Sequence, residues 1–547
     1  MNKRLLQFAL AIVALLAGVL GSQALFAAQG RPRLVVMLVL DGLPQWQALA
    51  YRDQLQPDGL ARFLDRGAWF SQAHHGHALT VTASGHAAML TGAYANRSGI
   101  IGNEWRDRDT GQPQYCVGDS SASYIGHPTK PLDGTSPRNL KVQAVGDVLR
   151  GASPGSKVIA ISGKDRGAIL LAGHRGTAYV YMSDTGQFAS SSYYMKEHPA
   201  WVNAFNARRP ADRYFKAEWK PLLPEAAYAR SVPDNQPWFG PGGGKLPMMM
   251  GAPRDDAPNA AFYAGLLHSP FADALALDFA RAALDAEQLG QDDSPDILAI
   301  SLSAHDYVNH LWGAEARLSH DHLLQTDKQL QAFFQDLDRK VGPNNYVAVL
   351  SSDHGFMPAP QYSEQRGIAS PRFSGGQVLA RVNAQLQQRF GVARLVPFTS
   401  ASTLVIDRNL LARHGLALDA VAEAARGLLQ AEDSVAAAYT RHELQAGSRS
   451  GAPFFEAMRR SWHQELSGDV MFVFKPFWTS SRNVATHGSP HEYDTHVPIM
   501  LWGPRWVKPG RIDSRVLVVD IAPTIARLLG VNAPSTNEGR LLPFAAP

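Results

Sequence analysis

Five stretches of the chain are almost unbroken apolar runs. Arg33 to Leu40 reads RLVVMLVL and ends at Asp41-Gly42. Lys157 to Ser162 (KVIAIS) runs into Gly163-Lys164-Asp165-Arg166, and Asp296 to Leu302 (DILAISL) into His305-Asp306. Tyr346 to Leu350 (YVAVL) runs into Ser351-Ser352-Asp353-His354-Gly355, and His496 to Trp502 (HVPIMLW) comes after another polar cluster. A strand covered on both faces loses the polar–apolar alternation of a half-exposed one, so these runs predict buried parallel strands. Helical periodicity alternates with them, as in Thr326 to Lys340, where Leu330, Phe333, Phe334 and Leu337 make one apolar face. The alternation predicts an α/β fold, an open and mostly parallel sheet sandwiched by helices. Ligands of such sheets bind beyond the carboxyl ends of the strands. Four of the runs deliver a residue of metal-binding or phosphate-binding type at that edge.

Two stretches break the pattern. Residues from about Gly176 to Pro258 are rich in Pro, Gly, Trp and Tyr and read as an irregular insertion over the site edge (176–258). Residues from about Gly375 to Phe477 read as a small α+β lobe (375–477) with helical runs at Asn383 to Phe390 and Leu418 to Leu429. Both interrupt a single domain spanning residues 29–547. Near its end, Asp520 is placed to cap a helix that stops at Gly530.

The N-terminus changes the picture more than the composition does. Asn2-Lys3-Arg4 precedes an apolar run from Leu5 to Leu20, broken only by Gln7, and small residues come next at Gly21, Ser22 and Ala24. This reads as a secretory signal peptide over residues 1–28, with an uncleaved anchor as the alternative. The expected location is periplasmic or secreted, with no stable membrane span after cleavage. Cys116 is the single cysteine, so no internal disulfide forms and bound metal becomes the candidate source of rigidity. Net charge is +4 with a pI of about 9.0, and the basic residues form no long run, so nucleic acid is not an expected partner.

The candidate chemistry centres on Leu79-Thr80-Val81-Thr82-Ala83-Ser84-Gly85-His86, between His74, His75, His77 and the run Gly99-Ile100-Ile101-Gly102-Asn103-Glu104-Trp105. A threonine hydroxyl is almost wholly protonated at neutral pH and needs a base or a metal to become a nucleophile. No Ser-His-Asp order and no G-x-S-x-G elbow surrounds it. Metal ligands are available instead: Asp41, the Asp306-x-x-x-His310 pair, Asp353-His354, and the tail Thr486-His487-Gly488-Ser489-Pro490-His491-Glu492-Tyr493-Asp494. Mixed imidazole and carboxylate donors suit zinc. Asp306 and His310, four apart, share one face if a helix begins there. Singly each group is ordinary, since an Asp after a strand is commonly a turn residue. Their joint occurrence, each just past an apolar strand, points to a metal site. Thr80 rivals Thr82 on composition, and His491 and His496 rival His487. The His74, His75, His77 group reads as a polar loop flanking the nucleophile, with an adventitious metal patch as the alternative.

With these motifs in place, the chain resembles the alkaline phosphatase superfamily, and within it the monomeric, threonine-nucleophile, broad-specificity bacterial phosphatases. The motifs that carry the resemblance are Asp-Gly after the first strand, T-x-x-G-H, G-I-I-G-N, G-K-x-R, D-x-x-x-H, S-D-H-G and T-H-G-S…Y-D-x-x-V-P, in family order over residues 33 to 531. The resemblance implies an alkaline phosphatase-like fold and a site with two Zn2+. Asp306, His310 and His487 would hold one zinc; Asp41, Asp353 and His354 would hold the other, which also binds the Thr82 oxygen. It favours Thr82 over Thr80 and His487 over its rivals, with His491 as a nearby polar group. It makes Asn103, Lys164 and Arg166 ligands of the non-bridging phosphoryl oxygens, where a K-x-R after a strand would otherwise read as a solvated turn. The implied activity is hydrolysis of small phosphate monoesters by a monomer, through a covalent phosphothreonine. The alternatives are a nucleotide pyrophosphatase or phosphodiesterase on the same fold, and an inactive binding protein.

Overall fold

A nine-stranded sheet carries the site at one edge. The computed structural model describes residues 30–240 and 243–545, so the signal-peptide segment lies outside the described residues. The sheet strands are β1 (Leu34–Leu40), β2 (Ala68–His74), β3 (Val158–Ser162), β4 (Thr177–Met182), β5 (Gln187–Ala189), β6 (Asp296–Leu302) and β7 (Tyr346–Ser351). A second sheet comes later in the chain: β8 (Phe398–Ser400), β9 (Thr403–Val405), β10 (Val435–Thr440) and β11 (Val470–Phe474). β12 (Ile499–Trp502) and β13 (Gly510–Leu517) complete the first. Its order is β13-β2-β12-β7-β1-β6-β3-β4-β5. All strands but β5 and β12 run in the same direction.

β1 shows why the apolar runs are continuous. Leu34, Val36, Leu38 and Leu40 join the core on one face, under helices at Pro270–Ala286 and Arg317–Lys340. Val35, Met37 and Val39 join the core on the other, with helices at Thr82–Thr91, Asp165–Ala172 and Ile521–Leu529. Alternate side chains of a strand point to opposite faces, so two covered faces demand an apolar residue at every position.

Three expectations need correction. His496 to Trp502 does not continue as a parallel strand; β12 pairs antiparallel with both β7 and β2. The chain reaches it from the site edge, after the His487 segment, and therefore runs back through the sheet. The stretch from Gly176 is not irregular at its start, because β4 and β5 extend the main sheet. Beyond them it holds a helix at Ala200–Ala207, short turns and a two-stranded ribbon. Asp520 does not cap the helix at Ile521–Leu529 with its side chain. Its carboxylate instead accepts from the N–H groups of Leu517 and Arg540, while Gly530 does end the helix with φ +71°.

The second sheet, in the order β8-β9-β11-β10, packs with helices at Gly375–Phe390 and Leu418–Gln430 around a core of its own that includes Val382, Leu386, Val421, Ala425 and Val470. This lobe is bonded to the nucleophile segment. Ser461 Oγ accepts from the N–H groups of Ala78 (2.8 Å) and Leu79 (3.1 Å).

Candidate active site and metal centre

The strands β7, β1, β6 and β3 are adjacent, so the segments leaving their carboxyl ends meet at one place. Asp41 comes directly after β1, Asp353 and His354 after β7, and Lys164 after β3; Asp306 and His310 lie on a helix at Ala304–Trp312 just past β6. The Asp273 carboxylate steadies the start of that helix by accepting from the Ala304 N–H at 3.2 Å. Asp306 and His310 share a helix face, as their spacing predicts, with His310 Nε2 3.4 Å from Asp306 Oδ1. His487 arrives from the segment before β12 and places its Nε2 3.5 Å from the same oxygen.

Each of the three imidazoles is fixed through its other nitrogen. Nδ1–H donates to a backbone carbonyl in every case: His310 to Ala485 at 3.0 Å, His354 to Gly355 at 3.0 Å, His487 to Thr80 at 2.9 Å. These bonds leave three Nε2 lone pairs directed at a carboxylate cluster. His354 Nε2 lies 3.4 Å from Asp353 Oδ2 and 3.6 Å from Asp41 Oδ1. Asp353 is itself aimed by the Gly42 N–H, which donates to its Oδ1 at 3.0 Å. Asp41 Oδ1, Asp306 Oδ1, Asp353 Oδ2 and His354 Nε2 are all buried without a hydrogen-bond partner. Buried acceptors left without a donor are costly unless something else satisfies them. A set of acceptor-only oxygens and imidazole nitrogens is the donor set of a divalent cation, and backbone hydrogen bonds behind the imidazoles are the usual support of such a set. The residues therefore fit the metal expected of them.

Electrostatics obey the same geometry. Burial, reinforced by the charge of Asp353, raises the Asp41 carboxyl well above the ordinary carboxylate range. Burial works against charge on Asp306 too, but Lys164 and His310 outweigh it and hold Asp306 well below that range. Burial, with His354 alongside, drives His487 well below the ordinary imidazole value, and burial lowers His354 as well. Both imidazoles are thus neutral, the form that offers a lone pair to a metal. Lys164 is 4% exposed, with its Nζ 2.8 Å from Asp41 Oδ2 and 2.5 Å from Asp306 Oδ2. Burial alone would lower it, yet these two carboxylates keep its ammonium protonated far above the neutral range.

Thr82 is the first residue of its helix and is buried beside this cluster. Gly85, one turn on, lets the helix close against Asp353: a Cβ there would lie 2.1 Å from the Asp353 carbonyl oxygen. Thr80 is otherwise employed, its hydroxyl donating to the Ser489 carbonyl at 2.8 Å and its own carbonyl accepting from His487. Asn103 Oδ1 accepts from the Ala83 N–H at 2.8 Å, which fixes which end of the amide carries the two N–H donors. Arg166 is half-buried; Tyr115 Oη stands 3.1 Å from its Nη1 and donates to Asp165. Tyr307 packs over Lys164 Nζ, 5.0 Å from its ring centroid.

Some residues behave otherwise than their sequence context implies. His74 ends β2, while His75 and His77 lie in the loop that leads to the nucleophile, and all three are buried; His75 donates to the Ser352 carbonyl at 3.0 Å and His74 stacks on His496. His491 is buried and donates to the Phe474 carbonyl at 2.8 Å, outside the cluster. His86 has no role assigned by the motifs, yet it groups with Asp41 and Asp353. Its Nδ1 donates to the Thr82 carbonyl at 2.9 Å and lies 3.3 Å from Asp353 Oδ2. The sequence does carry a signal for it: His86 is four residues after Thr82, on the same helix face.

Comparison with known proteins identifies the family. Residues 35–497 match the family described as type I phosphodiesterase / nucleotide pyrophosphatase. Alkaline phosphatase PafA of Elizabethkingia meningoseptica is 34% identical over 96% of this chain and 97% of its own. A Myroides odoratus protein named calcium-transporting ATPase is 34% identical over 93% and 94%, and alkaline phosphatase PhoV of Synechococcus elongatus 33% over 94% and 92%. The crystal structure of PafA superposes with a TM-score of 0.86 at 32% identity, covering 94% of this chain and 98% of that one. Along nearly its whole length the chain belongs to the type I phosphodiesterase / nucleotide pyrophosphatase family, on an alkaline phosphatase-like α/β fold.

Proposed function

We propose that the protein is a phosphate monoester hydrolase that works through a phosphothreonine at Thr82 and two zinc ions. Asp306, His310 and His487 would hold one ion; Asp41, Asp353 and His354, with the Thr82 oxygen, the other. The observation that carries the reading is the convergence of three backbone-anchored imidazoles and unpartnered buried carboxylate oxygens beside the N-terminus of the Thr82 helix. Zinc bound there supplies Lewis acidity for the entering and departing oxygens of a displacement. The Thr82 oxygen attacks phosphorus, the bond from phosphorus to the ester oxygen breaks, and the alcohol leaves. Water then attacks the phosphothreonine, releasing inorganic phosphate and restoring the hydroxyl. Lys164, Arg166 and the Asn103 amide would meet the charge of the non-bridging oxygens, Lys164 Nζ turning to them from Asp41 Oδ2 and Asp306 Oδ2 once those carboxylates bind metal. The alkaline phosphatase relatives support monoester over diester substrates.

Small phosphorylated compounds, handled by a monomer in the periplasm or outside the cell, complete the reading. No helix among the described residues is long and apolar enough to cross a membrane. The decisive test measures hydrolysis of a phosphate monoester and a diester sharing one leaving group, with metal content determined on the same sample. Efficient monoester turnover with about two zinc per chain is expected. A preference for the diester would instead favour a phosphodiesterase.

A further inference from the structure

A cavity of about 270 Å3 is lined by His487 of the carboxylate–imidazole cluster, and none of Asn103, Lys164 and Arg166 lines it. His487 and the nucleophile-segment residues Leu79 and Val81 form its inner end. β11 of the lobe lines it through Met471 to Phe474, together with Met357 and Trp478. The cavity therefore touches the residue before the nucleophile and one of the imidazoles of the cluster, yet most of its surface comes from elsewhere.

An ester seated for attack by Thr82 has its non-bridging oxygens directed at Lys164, Arg166 and Asn103. In an in-line displacement the alcohol departs opposite the Thr82 oxygen, and His487, one of the residues that would hold the ion serving the departing oxygen, lines this cavity. We propose that the cavity is the subsite for the alcohol portion of the ester, and that it selects flat, largely apolar groups such as an aryl ring. The proposal rests on the phosphatase reading. Its chemistry comes from the walls: Leu79 and Val81 are aliphatic, Phe474 and Trp478 aromatic, and Met357 and Met471 thioethers. Aromatic and thioether side chains contact ring faces and edges favourably. A dry apolar cavity of about 150 Å3 accepts a benzene ring, so the volume here admits a ring with a short linker. The lobe thereby gains a part in substrate choice, because β11 contributes four consecutive lining residues.

The test compares 2-phenylethyl phosphate with ethyl phosphate. Their alcohols have closely similar acidity, so a difference in kcat/KM reports binding of the ring and not ease of bond cleavage. The wild-type enzyme is expected to prefer the phenylethyl ester by about tenfold or more, the usual discrimination of an apolar pocket. Two variants probe the cavity. Trp478→Ala removes a wall. Ser480→Trp fills the space from Ser480, an exposed residue on its rim where a larger side chain does not disturb a core. Each is expected to bring the ratio of the two kcat/KM values close to one, and a ratio is insensitive to partial loss of metal or of folded enzyme. A wild-type ratio near one overturns the subsite and leaves the phosphatase reading standing, as does a wild-type preference unchanged in both variants. Failure to hydrolyse either ester overturns both.

Discussion

Gly85→Ala tests how closely the nucleophile helix must sit against the Asp353 segment. The added Cβ would lie 2.1 Å from the Asp353 carbonyl oxygen and 2.8 Å from its carbonyl carbon and Cα, whereas real Cβ atoms stay beyond 3.0 Å. The gap must open by at least 3.0 − 2.1 = 0.9 Å, and the obstacle is backbone, which cannot swing aside as a side chain can. Alanine favours a helix over glycine by about 1 kcal/mol, so any loss of stability is the clash net of that gain. Overpacking of this kind costs roughly 1–3 kcal/mol. The larger effect falls on rate, because Thr82 sits one turn before the displaced position. A misplacement of about 1 Å costs on the order of a hundredfold. The assay is monoester turnover on purified protein with measured metal content, alongside thermal unfolding. Gly427→Ala serves as control, since a Cβ at that exposed helical glycine meets nothing within 4 Å. It should leave activity intact and slightly raise stability. Wild-type turnover by a fully metallated Gly85→Ala enzyme would refute the claim that this contact sets the position of Thr82.

The same geometry fixes other outcomes. Thr82→Ala should lose several orders of magnitude in turnover while folding and binding metal, Thr82→Ser should retain measurable activity, and mass spectrometry after an acid quench should find phosphate on Thr82 and not on Thr80. Lys164→Ala and Arg166→Ala should each slow monoester hydrolysis by about a hundred- to a thousandfold, roughly 3–4 kcal/mol, and diester hydrolysis far less; equal losses on both substrates would assign the pair to folding or metal retention instead. Chelation should abolish activity and lower the thermal midpoint, because metal bound only to the native state adds to folding free energy, and an active metal-free preparation would exclude the mechanism.

The parts of the site that can be read in the sequence are those governed by local rules. Asp41, Asp306 and Asp353 stand out because each lies at or just past the end of an apolar run, and a strand buried on two faces leaves no ambiguity about where it stops. The i, i+4 relation of Asp306 and His310 is likewise a property of the helix alone. The parts that cannot be read depend on where distant segments come to rest. The direction of β12 is set by the sheet edge at which the preceding His487 segment ends. Thr80 and Thr82 differ only through Ser489 and His487, some four hundred positions away. Tyr115 bonds Arg166 across 51 positions from a three-residue strand, and no spacing rule links them. The true boundary of the 176–258 insertion is hidden because the two tyrosines of β4 (TAYVYM) read with the Tyr- and Trp-rich stretch after it, and β5 is only three residues long.

The return strand β12 also orders events in time. Synthesis from the N-terminus delivers Asp41 and Thr82 early and His487 near the end, and the bond from His487 to the Thr80 carbonyl closes a loop of 407 positions. A nascent or truncated chain that stops before His487 contains the sequences of β1, β6 and β7 but has neither the third imidazole beside Asp306 nor the β12 pairing that seats it. Such a fragment holds the nucleophile without the complete donor set around it. On the proposed assignment, phosphate-ester chemistry is expected only of chains that extend past His487.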